Sequence, residues 1–349
     1  MKRFKLLPVL FAGILIASMT SCENQGVEFP NYEGGTTVYF AYQYPVRTIV
    51  LGDDTYDTTL DNEHRCEIYA TMGGVYKNQK NISIDIAVDN GLCDNLFFED
   101  GSPVQAMPSN YYTLGGSKII LDKKIQGSVG VQLQDAFFSD PDALKKTYVI
   151  PLLMTKVQNA DSILSGRHLI QNAPRTYSEA WDIQPQDYVL YALKFINPWH
   201  AKYLRRGVDL VTENGATATN VRRKPHVEND ELCSLTTASL KVTKFPVKTT
   251  VSDGLGGVQT LTCDLLLTFN DNNECTISTD TQGYTASGSG KFVKKGEKNS
   301  WGNKDRNAMY LEYNINFGSK QYVTKDTLVV QTRGIDSELF VPTYKTNHF

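Results

Sequence analysis

Cys22 is the residue whose sequence context points most directly to a chemical reaction. Three of the first five residues are basic, an apolar run covers 6–19, and Ser21 directly precedes the cysteine. The run is shorter than the about 20 residues that a membrane-spanning helix needs, and it has the length of a secretory signal core. Small residues before a cysteine form the bacterial lipobox pattern, in which the cysteine is acylated after cleavage. We therefore predict a signal peptide over 1–21 and a lipid on Cys22.

Two tryptophans in loop-like contexts suggest a binding chemistry. Trp199 directly follows a strand-like run and has His200 beside it, whereas Trp301 opens a polar segment that contains Asn303 and Asp305. Sugar rings stack their apolar faces on aromatic planes, and their hydroxyls bind amides and carboxylates. These five residues are therefore the candidate ligand-binding residues. The alternative is structural: the first tryptophan would plug the base of a barrel, and the second would cover a hydrophobic edge.

The sequence contains no recognisable catalytic motif. There is no G-x-S-x-G, and the five histidines are scattered. We therefore predict a non-enzymatic protein without catalytic residues, although a triad assembled from distant segments stays open. The acidic segment 53–63 offers oxygen ligands of the kind that calcium prefers, but it lacks the spacing of a known calcium loop. A solvated turn is favoured there, and no metal or other cofactor is predicted. The basic runs 205–206 and 222–224 are expected to be solvated surface charges.

Five cysteines follow Cys22, without a CxxC pair or a Cys/His cluster of zinc-like spacing. An odd number leaves at least one thiol free, and buried free thiols are favoured. If 263–269 and 275–277 form a hairpin, the expected register places Cys275 opposite Phe269. Cys263 then lies about 20 Å from Cys275, at ~3.3 Å per residue. That separation is far beyond the reach of a disulfide.

Composition indicates a well-packed globular protein and excludes some partners. Of 349 residues, 41% are hydrophobic and 21% are charged, which argues against disorder. Without the leader the chain loses three of its 35 basic residues against 38 acidic ones, so its formal net charge becomes −6. This acidity offers no footprint for nucleic acid or anionic lipid. No second apolar run reaches membrane-spanning length, so membrane attachment is predicted through the lipid alone.

The elements that would position these residues are strands. Ile82, Ile84, Ile86 and Val88 alternate with more polar residues, and similar short runs are separated by Gly- and Asp-rich turns. One short helix is predicted near Asp140, which can cap it before a proline. The predicted parts are a lipid-anchored tether over 22–35, a β-sandwich over 36–155, a linker over 156–187, and a β-barrel domain over 188–349. For the last domain the hairpin spacing leaves a second sandwich as the alternative, and length favours the barrel.

Several stretches resemble known domains of Bacteroidota lipoproteins. Residues 73–76, 108–112 and 148–152 (GGVY, PSNYY and YVIPL) resemble the DUF1735 domain, and 197–207 (NPWHAKYLRRG) resembles the DUF5627 type that often follows it. The resemblance implies an all-β chain, with an immunoglobulin-like sandwich followed by an antiparallel barrel of the calycin or lipocalin kind. It also implies a surface lipoprotein found with glycan-uptake systems.

The leading functional hypothesis is thus a non-enzymatic lipoprotein of the outer membrane that faces the cell exterior. It would bind carbohydrate or another extracellular ligand, in a complex for glycan uptake. One alternative is an adhesion or fimbria-like structural component, although no arginine lies between Cys22 and Arg47 for processing of that kind. Another is a hydrolase or a small-ligand carrier that uses the barrel interior.

Overall fold

Nearly all of the regular structure is β. The computed structural model describes residues 31–252 and 257–346, so the predicted signal peptide, Cys22 and most of the tether lie outside the described residues. The first strands are β1 (Thr37–Tyr39), β2 (Pro45–Val50), β3 (Arg65–Gly73), β4 (Asn81–Val88), β5 (Leu96–Phe97), β6 (Gln105–Ala106), β7 (Tyr112–Leu114), β8 (Lys118–Asp122), β9 (Gln126–Leu133), β10 (Tyr148–Gln158), β11 (Ser162–Ile163), β12 (Arg167–His168), β13 (Trp181–Ile183) and β14 (Tyr188–Ile196).

The remaining strands belong mainly to the second half of the chain. They are β15 (Ala201–Glu213), β16 (Ala216–Arg222), β17 (Glu231–Ser239), β18 (Val242–Ser252), β19 (Val258–Phe269), β20 (Glu274–Thr279), β21 (Thr285–Glu297), β22 (Arg306–Asn316), β23 (Lys320–Thr332), β24 (Glu338–Leu339) and β25 (Thr343–Tyr344). The described helices are α1 (Thr59–Asn62), α2 (Asp135–Ser139) and 3-10 turns at Asn90–Cys93, Pro141–Leu144, Ser178–Ala180, Val227–Asn229 and Trp301–Asn303. None of these described helices is long and apolar enough to cross a membrane.

The N-terminal half is a sandwich of two sheets, as predicted. One sheet has the strand order β11-β1-β3-β9-β7, and the other has β24-β2-β14-β10-β4-β8 with β6 alongside β10. Alternation makes this packing favourable, because every second residue of β3 points inward and is buried. Ile68 pairs with Val129 on the first sheet, and both pack in one core with Ile84 and Ile150 of the second. The predicted helix near Asp140 is a 3-10 turn, capped by a hydrogen bond from the Asp142 amide to the Asp140 carboxylate.

The second sheet differs from the prediction in an important way. Tyr188–Ile196, expected to open the barrel, is instead the central strand β14, which pairs with β10 and with β2. Its almost continuous burial explains the apolar run, because a second core that includes Leu190 and Phe340 covers its other face. The sandwich therefore extends beyond residue 155 and reaches residue 196. Segment 156–187, expected as a linker, carries the end of β10 and the edge strand β11.

The second half forms a closed antiparallel barrel. Eight strands, β15 and β17–β23, pair in sequence, and β23 returns to pair with β15. An eight-stranded barrel is just wide enough for side chains to fill its interior, and here residues such as Phe245, Leu265 and Met309 fill it. Phe269 lies opposite Cys275 as predicted. The five described cysteines are free thiols.

Buried ion pairs join β15, β16 and β23. Arg205 binds Asp326 at 2.9 Å, and Arg222 bridges Asp326 at 2.6 Å and Asp209 at 2.7 Å. These arginines were expected to be solvated surface charges, and that expectation is wrong. Gly207 makes the network sterically feasible, because a Cβ there would lie 2.3 Å from the Asp326 Oδ1.

The last described residues leave the barrel and return to the sandwich. Strand β24 pairs with β2, and β25 pairs with β5. The barrel therefore ends near Thr332, and the expectation that it runs to 349 is corrected for residues 334–346. Residues 347–349 lie outside the described part. Chain segments on both sides of the barrel thus connect it to the sandwich.

Candidate functional site

Trp199 occupies the position of a barrel plug. Its ring stacks on Phe269 with centroids 3.8 Å apart and an interplanar angle of 8°, and it is only 6% exposed. The indole N–H donates to Asn273 Oδ1 at 3.2 Å, and the main-chain carbonyl accepts from the Tyr203 hydroxyl at 2.7 Å. This geometry leaves no exposed face on which a sugar ring could stack.

His200 lies beside it at the junction of the two domains. Its Nδ1 accepts from the Thr237 amide at 3.1 Å, and its own amide donates to Asn197 Oδ1, also at 3.1 Å. Burial, with Arg333 and Lys194 nearby, lowers the pKa of this imidazole to about 4. His200 is therefore neutral near pH 7 and acts as a hydrogen-bond acceptor within the junction.

Trp301 lies half-buried at the edge of the barrel. Its indole N–H donates to the Val330 carbonyl at 3.1 Å. Arg306 covers one face of the ring, with the guanidinium carbon 3.3 Å from the ring centroid, and its Nε donates to the Trp301 carbonyl at 3.1 Å. Gly302 and Asn303 take positive φ angles in this tight turn, and the side chain of Asn303 is exposed. The tryptophan therefore supports Arg306, and this face is not available to a sugar ring.

Asp305 and Arg306 lead to a cleft between the domains. This interdomain cleft has a volume of about 240 Å³, and its wall on the sandwich side is the loop Asp53–Thr55. Asp305 pairs with Lys298 at 2.9 Å, and this hydrogen bond lowers the pKa of its carboxyl group. Lys294 of the barrel reaches across to Asp53 at 2.7 Å. Both domains therefore contribute charged groups to the cleft.

Arg333 lies at the base of the cleft. It is 7% exposed, and its Nη2 donates to the carbonyls of Leu51 and Asn197 at 3.1 and 2.8 Å. Its Nη1 donates to the Asp53 carbonyl at 3.2 Å, while its Nε has no hydrogen-bond partner among the described residues. Burial lowers the pKa of this guanidinium from its ordinary value. The residue joins the sandwich, the connecting segment and the barrel.

Of the predicted site residues, the structure places Asp305 on the cleft wall. Trp199 contacts the lining residue Asn273, Trp301 contacts Arg306, and Asn303 and His200 lie outside the lining. Sequence reasoning missed Arg333, Lys294 and the loop 53–55. The acidic run at 53–63 was the one available signal, and it was interpreted as a solvated turn.

Two other depressions are less suited to be the site. A larger open groove of about 900 Å³ crosses the outer wall of β19–β23, where Lys291 pairs with Glu274 and Lys325 with Glu312. A groove of about 310 Å³ on the sandwich is lined by tyrosines such as Tyr69, and is mostly apolar. Neither has a buried cation without a carboxylate partner.

Comparisons with known proteins confirm both resemblances. The model of DUF5627, a domain of unknown function, matches residues 198–334, and an N-terminal domain model matches residues 30–161. No curated protein matches the chain. A crystal structure of a protein of unknown function from Bacteroides ovatus is 44% identical, with a TM-score of 0.85, over 90% of this chain and 100% of that one.

Two further structures from Bacteroides ovatus are much less similar. One, of unknown function, is 12% identical over 88% of this chain and 99% of that one, with a TM-score of 0.39. The other, provisionally described as carbohydrate binding, is 10% identical over 84% and 97%, with a TM-score of 0.26. Neither likeness is strong enough to support an argument about this chain. The first structure, by contrast, is 44% identical over nearly the whole length of this chain. The chain therefore belongs to a Bacteroides protein family in which a DUF1735-like N-terminal domain precedes a DUF5627 barrel.

Proposed function

We propose that this protein is a non-enzymatic, lipid-anchored surface protein that binds a saccharide in the interdomain cleft. The observation that carries the proposal is the convergence of fixed polar groups from both domains on this cleft. Asp54 comes from the sandwich, while Asp305 and Arg306 come from the barrel. Carboxylates accept hydrogen bonds from hydroxyls, and guanidinium groups donate to hydroxyl or ring oxygens.

The cleft also has apolar surface beside these polar groups. Pro198 and Val330 contribute to its lining, next to the charged wall. A pocket with apolar walls and a few well-placed polar groups is the usual form of a small-molecule site. A sugar residue has the same mixed character, which supports the choice of ligand class.

The proposed localisation rests on the predicted lipid at Cys22 and the family resemblance. The acylated residue would hold the two domains at the outer membrane, facing the exterior, where a glycan-uptake complex would be the partner.

The alternative functions, a small-ligand carrier and a fimbria-like component, gain no support from the fold. The barrel interior, which a ligand carrier would use, is filled by side chains. Strand β1, which strand exchange would remove, pairs with β3 and with β11.

Affinity electrophoresis tests the proposal. The purified protein is run in native gels that contain starch, xylan, galactan, pectin or alginate, and we expect retardation in at least one gel. Asp305→Ala should weaken that binding roughly tenfold, the usual effect of losing a charge-assisted hydrogen bond. Asp271→Ala is the matched control, because this exposed aspartate also pairs with a single lysine but lies outside the cleft. Absence of retardation in every gel, or equal weakening by both variants, would contradict the proposal.

A further inference from the structure

Two guanidinium groups line the interdomain cleft without a carboxylate partner. Among the described residues, no carboxylate oxygen forms an ion pair with Arg333 or with Arg306. Arg333 binds only main-chain carbonyls, and Arg306 binds one carbonyl and lies over the ring of Trp301. Neither guanidinium group is therefore neutralised by a direct ion pair with a carboxylate.

The carboxylates of the cleft are already engaged. Asp53 pairs with Lys294, and Asp305 pairs with Lys298. The Asp54 carboxylate accepts from the amide of Thr55 at 2.6 Å and from its hydroxyl at 3.3 Å. The charged groups next to the cavity that lack an ion-pair partner are thus two guanidinium groups and one carboxylate, that of Asp54.

The unpartnered Nε of Arg333 is unusual because the residue is 93% shielded from solvent. Leaving a buried donor without an acceptor costs about 1–3 kcal/mol, more when the group is charged, so such groups call for an explanation. Arg206 and Arg222 also have an unpartnered nitrogen, but each of them pairs with an aspartate. Arg333 is the one of these three arginines that lines a cavity without such a partner. Arg333 therefore brings to the cavity wall a guanidinium group whose hydrogen-bonding capacity the protein does not fill.

We propose that the cleft binds a saccharide that carries an anionic group, a carboxylate or a sulfate, placed against Arg333 and Arg306. This inference rests on the proposed function and names its ligand class. Guanidinium groups bind such oxyanions through paired, charge-assisted hydrogen bonds. The volume of about 240 Å³ is below the about 300–1,000 Å³ of sites for drug-sized ligands. The cleft therefore has room for one acidic sugar residue of a longer saccharide.

Isothermal titration calorimetry with matched probes tests this assignment. The probes are trisaccharides of galacturonate, glucuronate and mannuronate, the carboxyl-reduced form of each, and a sulfated galactan trisaccharide. We expect at least one anionic probe to bind tenfold or more tightly than its uncharged counterpart, and added salt to weaken only the anionic complex. Comparison of the uronate trisaccharides with the sulfated galactan trisaccharide shows whether the cleft binds a carboxylate or a sulfate.

The outcomes separate this inference from the proposed function. Equal binding of acidic and reduced forms overturns the anionic assignment and leaves saccharide binding intact. No binding by any probe, together with no retardation in the gels, overturns both.

Two variants locate the anion. Arg306→Gln should reduce affinity for the acidic probe about tenfold and affinity for its carboxyl-reduced form by no more than about twofold, because only the acidic form loses a charge-assisted contact. Lys304→Gln is the matched control, since this exposed lysine lies two residues away and outside the lining. Arg333→Lys keeps the charge and removes the planar set of guanidinium donors, so it should also weaken acidic binding. If circular dichroism shows that this variant does not fold, the comparison of Arg306→Gln with Lys304→Gln decides alone. Equal effects of these two variants on acidic-probe affinity would overturn the proposal.

Discussion

Replacement of His200 by glutamine should remove a specific acid sensitivity of the domain junction. Burial and the nearby charges of Arg333 and Lys194 lower the pKa of the imidazole, and its Nδ1 accepts a hydrogen bond from the Thr237 amide. Protonation turns this nitrogen into a donor that faces another donor. Glutamine has no proton to gain in this pH range, although its side-chain oxygen corresponds in position to Nε2 and not to Nδ1. The variant therefore loses the titration, at a cost in stability that does not depend on pH.

The size of the effect follows from the pKa of His200. It falls from 6.5 to about 4 in the folded protein, so the unfolded chain binds more protons between these values. Stability is then fully present above pH 6.5 and declines as the pH falls towards 4. The shift corresponds to about 3 kcal/mol at ~1.4 kcal/mol per unit. Because the ring is only half-buried, we expect a loss of roughly 2 kcal/mol between about pH 7.5 and about pH 4.5.

Urea unfolding at several pH values measures this contribution. Both proteins lose stability in acid because their carboxylates titrate, so the informative quantity is the difference between the two curves. We expect the free energy of unfolding of the wild type to fall by roughly 2 kcal/mol more than that of His200→Gln over this range. Parallel curves would refute the assignment of His200 as a neutral acceptor in the folded protein.

Four further outcomes are expected. Asp326→Asn leaves Arg205 and Arg222 without their shared carboxylate, so urea unfolding should show a loss of about 3 kcal/mol or more; a change below about 1 kcal/mol would show that solvent reaches the network. Gly207→Ala places a methyl group 2.3 Å from Asp326 Oδ1 and should cost about 1–3 kcal/mol by the same assay, whereas an unchanged midpoint would mean that the network shifts freely. Trp301→Ala removes the ring beneath Arg306 and should weaken acidic-trisaccharide binding about fivefold, equivalent to ~1 kcal/mol, with undiminished affinity as the contrary result. Cys22→Ala should move the protein from the membrane fraction to the soluble fraction with an unchanged melting temperature, and continued membrane retention would contradict acylation there.

Local patterns were sufficient to predict the strands that have one buried face. The alternation in β4 and the register that places Cys275 opposite Phe269 both depend on neighbouring residues of a strand or hairpin. The β character of both domains was predictable for the same reason, because period-two patterns and turn residues recur along the chain. The choice of a barrel over a second sandwich rested on length and on the family resemblance. Trp199 as a barrel plug was also one of the two sequence interpretations.

Long-range packing explains the predictions that failed. The apolar run Tyr188–Ile196 has the same pattern in either domain, and only its pairing with β2 and β10 assigns it to the sandwich. Arg205 and Arg222 were interpreted as surface charges because such runs are usually solvated. Their aspartate partner at 326 is more than 100 residues away in the sequence. The cleft could not be predicted from the sequence for the same reason, since Asp53 and Lys294 come together only in the folded chain.

A crystal structure of the protein with bound galacturonate trisaccharide, or with the tightest-binding anionic probe, tests the central claim most directly. The account predicts density for one acidic sugar residue in the interdomain cleft, with its anionic group against the guanidinium groups of Arg333 and Arg306. Density in the tyrosine-lined groove beside Tyr69, or on the outer barrel wall, with an empty cleft, would contradict it.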